Sequence, residues 1–145
     1  MNIFKTSLIV MFMFVFLGCA TNRYTYNKSI PDDRQCVLII PEDFTVVKFD
    51  EDTVNWKVGY NIIYSMIDSI SQKKREAFVN IPEGEHTLTI NYLSVTTRPS
   101  GYNSYNLITR SAEGIKVTSD FQHGNTYSLV PVIMGDKITV IVRRH

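Results

Sequence analysis

The sequence predicts an antiparallel β-sandwich. Three observations point there: short segments recur in which apolar and polar residues alternate, turn-forming residues separate them, and the chain is long enough for one domain with a real core. A period of two places one set of side chains on a buried face and the other in water. Many short strands of that kind form sandwiches or related barrels.

Gln35–Ile40 is a continuous apolar run ending at Pro41, suited to a central strand. Phe44–Phe49 and Thr53–Val58, the latter with Trp56, flank Asp50-Glu51-Asp52 and read as a hairpin. Between Gly59 and Gln72, Tyr60, Ile63, Tyr64, Ile67 and Ile70 fall at helical spacing, opposite Asn61, Ser65, Asp68 and Gln72. The pattern suggests a short helix over residues 60–71; its β-branched content leaves a further strand as the alternative. Glu76–Ile81 and Glu85–Val95 flank Pro82-Glu83-Gly84 and are expected to form a second hairpin.

In Glu85–Val95 the inward set is His86, Leu88, Ile90 and Tyr92, with Thr87, Thr89 and Asn91 outward. Ile115, Val117 and Phe121 repeat the alternation against Lys116, Thr118 and Asp120. Tyr127–Ile133 and Lys137–Arg143 close the fold across Met134-Gly135-Asp136, with Ile138, Val140 and Val142 inward. Between Val95 and the next strand lies "TTRPSGYNSYN", Thr96 to Asn106. Pro99, Ser100 and Gly101 interrupt strand pattern, so a projecting loop is expected.

The amino-terminal region reads differently. Lys5 precedes an almost wholly apolar run from Ser7 to Leu17, about half of what spans a bilayer. The run breaks at Gly18-Cys19 into polar sequence, where a secretory cleavage site would carry an A-x-A-like pattern. Phe16-Leu17-Gly18-Cys19 resembles the lipobox of bacterial lipoproteins, in the relaxed form found in spirochaetes and some other bacteria. Leu17 is larger than the usual residue two places before the cysteine, and Phe16 is bulkier than the typical leucine. The resemblance implies a signal peptide over 1–18, diacylglycerol on the Cys19 sulfur and an acylated amino terminus such as palmitate supplies. Ala20 lacks the aspartate that retains many such lipoproteins in the inner membrane, so an outer-membrane address is implied. Several acyl chains on one residue make release from the bilayer slow.

The expected organisation is signal peptide 1–18, lipidated Cys19 with a flexible tether over 19–34, and one sandwich domain over 35–145. Tyr24 and Tyr26 in the tether could rest on the membrane interface or on the domain. With Cys19 lipidated, Cys36 is left unpaired and expected as a small buried hydrophobe. "VNIPEGEHTLTINY" (Val79 to Tyr92) resembles the signature hairpin of PEGA-type domains, small β-sandwich modules of bacterial surface proteins, with Pro82, Glu83 and Gly84 matching and Glu85 replacing the alanine. "FQHGNTYSLVP" carries a Gly-x-Thr-Tyr turn common in similar lipoprotein domains. Such families share no catalytic residues, and none transfer here.

Fifteen basic against fourteen acidic side chains give a formal charge of +1, without the basic face that nucleic acid requires. Lys73-Lys74-Arg75 and Arg143-Arg144 read as solvated ends. His86, His123 and His145 lack zinc spacing, Asp50-Glu51-Asp52 lacks the EF-hand pattern, and no nucleophile elbow, P-loop or dinucleotide fingerprint occurs. No enzyme, metal or cofactor is expected beyond covalent lipid on Cys19.

The expected function is a lipid-anchored, non-enzymatic binding module of the cell envelope, meeting the membrane through its anchor and a protein or glycan through a loop. The alternative is a structural or assembly lipoprotein contacting another envelope component. The candidate binding residues are Arg98, Tyr102, Asn103, Tyr105 and Asn106, since tyrosine offers a rigid apolar face with one hydroxyl and asparagine offers both donor and acceptor. The same tyrosines could instead fold back and cap the sandwich edge.

Overall fold

In the computed structural model, residues 23–27, 29–59 and 74–145 are described. Among the described residues the chain forms nine strands in two sheets that face each other across one apolar core, a β-sandwich. The strands are β1 (Arg23–Thr25), β2 (Gln35–Pro41), β3 (Phe44–Phe49), β4 (Asp52–Lys57), β5 (Glu76–Pro82), β6 (Gly84–Gly101), β7 (Ser104–Phe121), β8 (Thr126–Met134) and β9 (Lys137–Arg144). One sheet has the order β1-β5-β2-β8-β9, the other β4-β3-β6-β7. The signal segment with Cys19 and the helix expected over 60–71 lie outside the described residues.

Each strand buries the set its alternation selects. Cys36, Leu38 and Ile40 of β2, Ala77, Val79 and Ile81 of β5, and Tyr127 and Leu129 of β8 face Phe44, Val46 and Phe49 of β3 and Leu88, Ile90 and Tyr92 of β6. In β3 a bulge between Val46 and Lys48 adds one residue, which explains why Phe49, three positions after Val46, is also inward. A fully buried side chain of this size stabilises the fold by about 1.5–3 kcal/mol. Val140 of β9 is buried, and Ile138 and Val142 pack against the core as expected.

Two connections depart from the sequence reading. The second sheet is wholly antiparallel, but β1 pairs parallel with β5 and β2 parallel with β8, so the first sheet is mixed. Parallel neighbours need a long connection, and here strands of the opposite sheet intervene between β2 and β8. Pro82-Glu83-Gly84 does not close a hairpin: β5 and β6 belong to different sheets, and the turn carries the chain across the sandwich. Gly84 allows this at φ +120, where other residues would be strained.

The tether also differs from expectation. Arg23–Thr25 adds a strand beside β5, and Asp32–Arg34 forms a 3-10 turn. Tyr26 packs tilted against Phe49 at 4.6 Å and edge-on against Trp56 at 5.9 Å, and its hydroxyl donates to Asp52. Tyr24 donates to the Lys57 carbonyl at 2.8 Å. Both tyrosines therefore rest on the domain, and the fold starts by Arg23 rather than at residue 35. Their aromatic area was a better predictor than the polar residues around them.

The sandwich has two unlike ends. At one, β2 finishes at Pro41, β5 begins at Glu76, β3 begins at Phe44 opposite Tyr92, and β1 enters at Arg23. At the other lie the β3–β4 turn, the Gly84 crossing and the turn from Phe121 to Thr126. Strands β6 and β7 pass beyond the first end as a two-stranded ribbon.

Candidate functional site

The segment expected as a loop is strand almost to its tip. β6 continues to Gly101 and β7 begins at Ser104, leaving Tyr102 and Asn103 as the turn. Asn103 takes φ +57, a conformation asparagine tolerates better than most residues. Proline weakens a strand where its missing N–H would be needed by a neighbour. Beyond Tyr92, β6 has lost β3, so the ribbon consists of two edge strands and admits Pro99; the register shift between Pro99 and Gly101 absorbs Ser100 as a bulge. The tyrosines do not cap the sandwich: Tyr102 is 99% exposed and Tyr105 71%.

Register divides the five candidate residues. Cross-strand partners share a face, and Pro99 pairs with Tyr105, Thr97 with Leu107, Val95 with Thr109 and Leu93 with Ser111. That face carries Leu93, Val95, Tyr105 and Leu107, each more than half exposed. The opposite face carries Arg98 beside Asn106 and Ser94 beside Arg110. The structure thus joins Arg98 to Asn106, puts Tyr105 behind them and leaves Tyr102 and Asn103 at the tip. From Leu93 to Ala112 the charged residues are Arg98 and Arg110, with no acid.

Leu93, Val95, Leu107 and Arg110 were missed. Their signal was a change of parity. Apolar residues occupy even positions from Leu88 to Tyr92 and odd ones at Leu93 and Val95. Since β6 itself has no inserted residue there, Leu93 and Val95 continue the outer face of Thr87, Thr89 and Asn91. The accompanying bulge lies in β7, where Gly114, at φ +66, donates its N–H to Asn91 Oδ1 at 3.0 Å.

The far end of the sandwich gathers polar groups instead. Asp50, at φ +52 in the β3–β4 turn, accepts from the Thr87 N–H at 2.8 Å and meets His86 Nδ1 at 2.8 Å. Burial alone would raise the Asp50 carboxyl; the Thr87 N–H and then His86 outweigh it and hold it below the ordinary range. His86 is wedged between Phe49 and Phe121, with Nε2 3.4 Å from the Glu83 carbonyl, so both ring nitrogens face structural partners rather than a nucleophile. Glu83 meets Arg34 at 3.9 Å and His123 at 3.3 Å, across exposed side chains where such pairs contribute little.

At the carboxyl terminus His145 Nε2 lies 2.9 Å from Ser128 Oγ, and among the described residues no carboxylate meets the other ring nitrogen to complete a triad. Cys36 is buried as expected; burial first, then Glu83 and Asp120, pushes its thiol up to about 11, which removes thiolate character at neutral pH. Among the described residues no three His, Cys, Asp or Glu side chains converge on a common metal position. A shallow hollow of about 270 Å³ on the outer face is lined by Lys48, Thr89 and Lys116, register neighbours on three strands, with Asp50, Glu51 and Thr87. Its charges balance and select no ligand class.

The ribbon is therefore the feature with chemistry left unused. No helix among the described residues is long and apolar enough to cross a membrane. Comparison of the chain with models of protein families, with curated proteins and with solved structures returns no match.

Proposed function

We propose that this chain is a lipid-anchored lipoprotein of the bacterial cell envelope, at the outer membrane, acting as a non-enzymatic binding module. The observation that carries the binding reading is the ribbon, whose tip and polar face offer Tyr102, Asn103, Arg98 and Asn106 to solvent beyond the sandwich. A rigid fold that presents tyrosine, asparagine and arginine on a protrusion has the composition of a recognition surface. The partner is a protein or glycan. Closed hydrogen-bond arrangements around His86 and Asp50 support a structural rather than catalytic use of these groups. The anchor reading is supported by Cys19 following Gly18 at the end of the apolar run.

A second reading, an assembly lipoprotein that contacts another envelope component, is favoured by the exposed apolar side chains Leu93, Val95 and Leu107. Cross-linking in intact cells followed by mass spectrometry separates the two. In the binding module, Tyr102→Ala with Asn106→Ala abolishes retention of the cross-linked partner and leaves the melting temperature nearly unchanged. Retention that survives this change and is lost with Leu93→Ser and Leu107→Ser supports the assembly reading instead. For the anchor, Cys19→Ala is expected to accumulate unprocessed precursor without labelled palmitate; normal labelling of that variant overturns it.

A further inference from the structure

We propose that the apolar face of the β6–β7 ribbon lies flat on the bilayer surface that holds Cys19, so that the ribbon's polar face points away from the membrane. The inference rests on the lipid-anchored reading for its geometry, and adds to it a second, non-covalent membrane contact that fixes the orientation of the domain.

The first observation is where things lie. Strand β1 enters at Arg23 on the end from which the ribbon projects. Among the described residues seven large apolar side chains are exposed, and six are at or beyond that end: Leu93, Val95, Tyr102, Tyr105, Leu107 and Met134. Met134 joins them because β8 and β9 run past the end of β2 before turning. The opposite end holds the Asp50–His86 and Glu83–His123 contacts.

The second observation is length. Four peptide units separate Cys19 from Arg23, a reach of roughly 14 Å at full extension. The ribbon from Leu93 to Gly101 is about 30 Å long at strand rise. A domain tethered that closely cannot hold the ribbon upright between itself and the lipid. A ribbon that runs along the surface satisfies the tether, and one of its two faces then meets the headgroups.

The third observation decides which face. Leu93, Val95 and Leu107 offer apolar area on one side, and Tyr105 at its outer part is the kind of residue that settles at the membrane–water boundary. Arg98 and Arg110 on the other side give the ribbon a net positive charge, with no acid between Leu93 and Ala112, which draws it toward an anionic surface. Apolar area joined to positive charge is the combination that holds a segment at a bilayer interface.

The test uses the unacylated chain beginning at Ala20, which retains every described strand and lacks both lipid and the apolar leader. Vesicles of phosphatidylethanolamine with phosphatidylglycerol are expected to sediment it, and vesicles of phosphatidylcholine alone to do so less. Leu93→Ser with Leu107→Ser is expected to weaken partitioning about tenfold or more, because the lost area is that which lipid covers. Orientation is read with one added tryptophan at a time, against the constant background of buried Trp56: brominated lipid quenches the added signal of Leu107→Trp and leaves that of Asn106→Trp, its neighbour on the other face, unquenched. Absence of vesicle binding, equal quenching of both tryptophans, or an undiminished double variant overturns the inference. So does a self-associating chain whose dimer, rather than vesicle binding, is lost with Leu93 and Leu107, since the face is then an interface between copies. Palmitate labelling of Cys19 is read separately on the full chain, so normal labelling there together with an Ala20 chain that ignores vesicles rejects this inference alone.

Discussion

Strand β6 contains two halves that look alike in hydropathy and do opposite things. From His86 to Tyr92 its apolar residues face β2 and β5 and vanish into the core; Leu93 and Val95 face water. The difference lies in what stands opposite. β2 ends at Pro41 and β5 begins at Glu76, so among the described residues no second sheet covers either face beyond Tyr92. Burial, and the stability that follows from it, is a property of the pair of surfaces rather than of the residue. The inner half spends its apolar area on folding; the outer half keeps it available.

The sharpest way to break this comparison is to place a charge in each half. Ile90→Asp puts an unpaired carboxylate among buried side chains and is expected to cost several kcal/mol. Leu93→Asp and Thr89→Asp, on the outer face, should stay within about 0.5 kcal/mol. Thermal unfolding of the chain from Ala20 decides it, and equal losses at Ile90 and Leu93 would sink the assigned faces.

Asp50→Asn comes next, at about 1–2 kcal/mol near neutral pH, through the Thr87 and His86 contacts that want a carboxylate. The Asp50 carboxyl is held below its ordinary range, so its contribution is present above that range and is lost as pH falls through the lowered value. The wild type and the variant should therefore converge in acid, which melting at a series of pH values reads directly. Divergence in acid contradicts the assignment.

Tyr26→Phe is expected to cost about 1 kcal/mol, the usual net worth of a hydrogen bond. The hydrogen bond to Asp52 first, then burial, pushes the Tyr26 hydroxyl up to about 12. Its neutral form is favoured by folding, so this stabilisation is complete below the ordinary value near 10 and disappears as pH rises through about 12. Denaturant midpoints across that alkaline window should bring the two proteins together; a constant gap would place the effect in packing on Phe49 and Trp56.

The smallest effect belongs to the ribbon. Replacing Ser94–Arg110 with Asn-Gly joins Leu93 to Ser111, which are already register partners, through a turn that suits hairpins. Stability is expected to change by less than about 1 kcal/mol, measured by denaturant unfolding, while vesicle and partner binding vanish. A large loss would make the ribbon part of the core.

Much of the body was legible because alternation and turn chemistry agree there. Leu88, Ile90, Phe121 and Val140 were placed by period alone, Leu38 by its continuous apolar run, and Asp50-Glu51 and Met134-Gly135-Asp136 by their turn residues. Sheet membership was not legible: Pro82-Glu83-Gly84 has the residues of a hairpin turn, and only the partner that β5 finds in β2 shows it to be a crossing. Strand β1 was hidden because three residues are too few to show a period, although Tyr24 and Tyr26 carried its packing. At the candidate site the sequence named Arg98, Tyr102, Asn103, Tyr105 and Asn106, yet not which of them stand together. That depends on register across Gly101 and Ser104, a non-local quantity. Pro99 misled because its rule applies to strands with a neighbour on each side.

Amide hydrogen exchange along β6 tests most directly the claim that one strand has a buried half and a free half. A two-stranded ribbon without a second layer is marginally stable by itself. Amides of Leu88, Ile90 and Tyr92 are expected to exchange only through global unfolding, and those of Ser94, Thr96 and Ile108, which bond across the ribbon, through local opening orders of magnitude faster. Addition of anionic vesicles should slow the second group and leave the first unchanged. Uniform protection of Leu88, Ile90, Tyr92, Ser94 and Thr96 in solution would contradict the division, because the outer half would then be packed as deeply as the inner one.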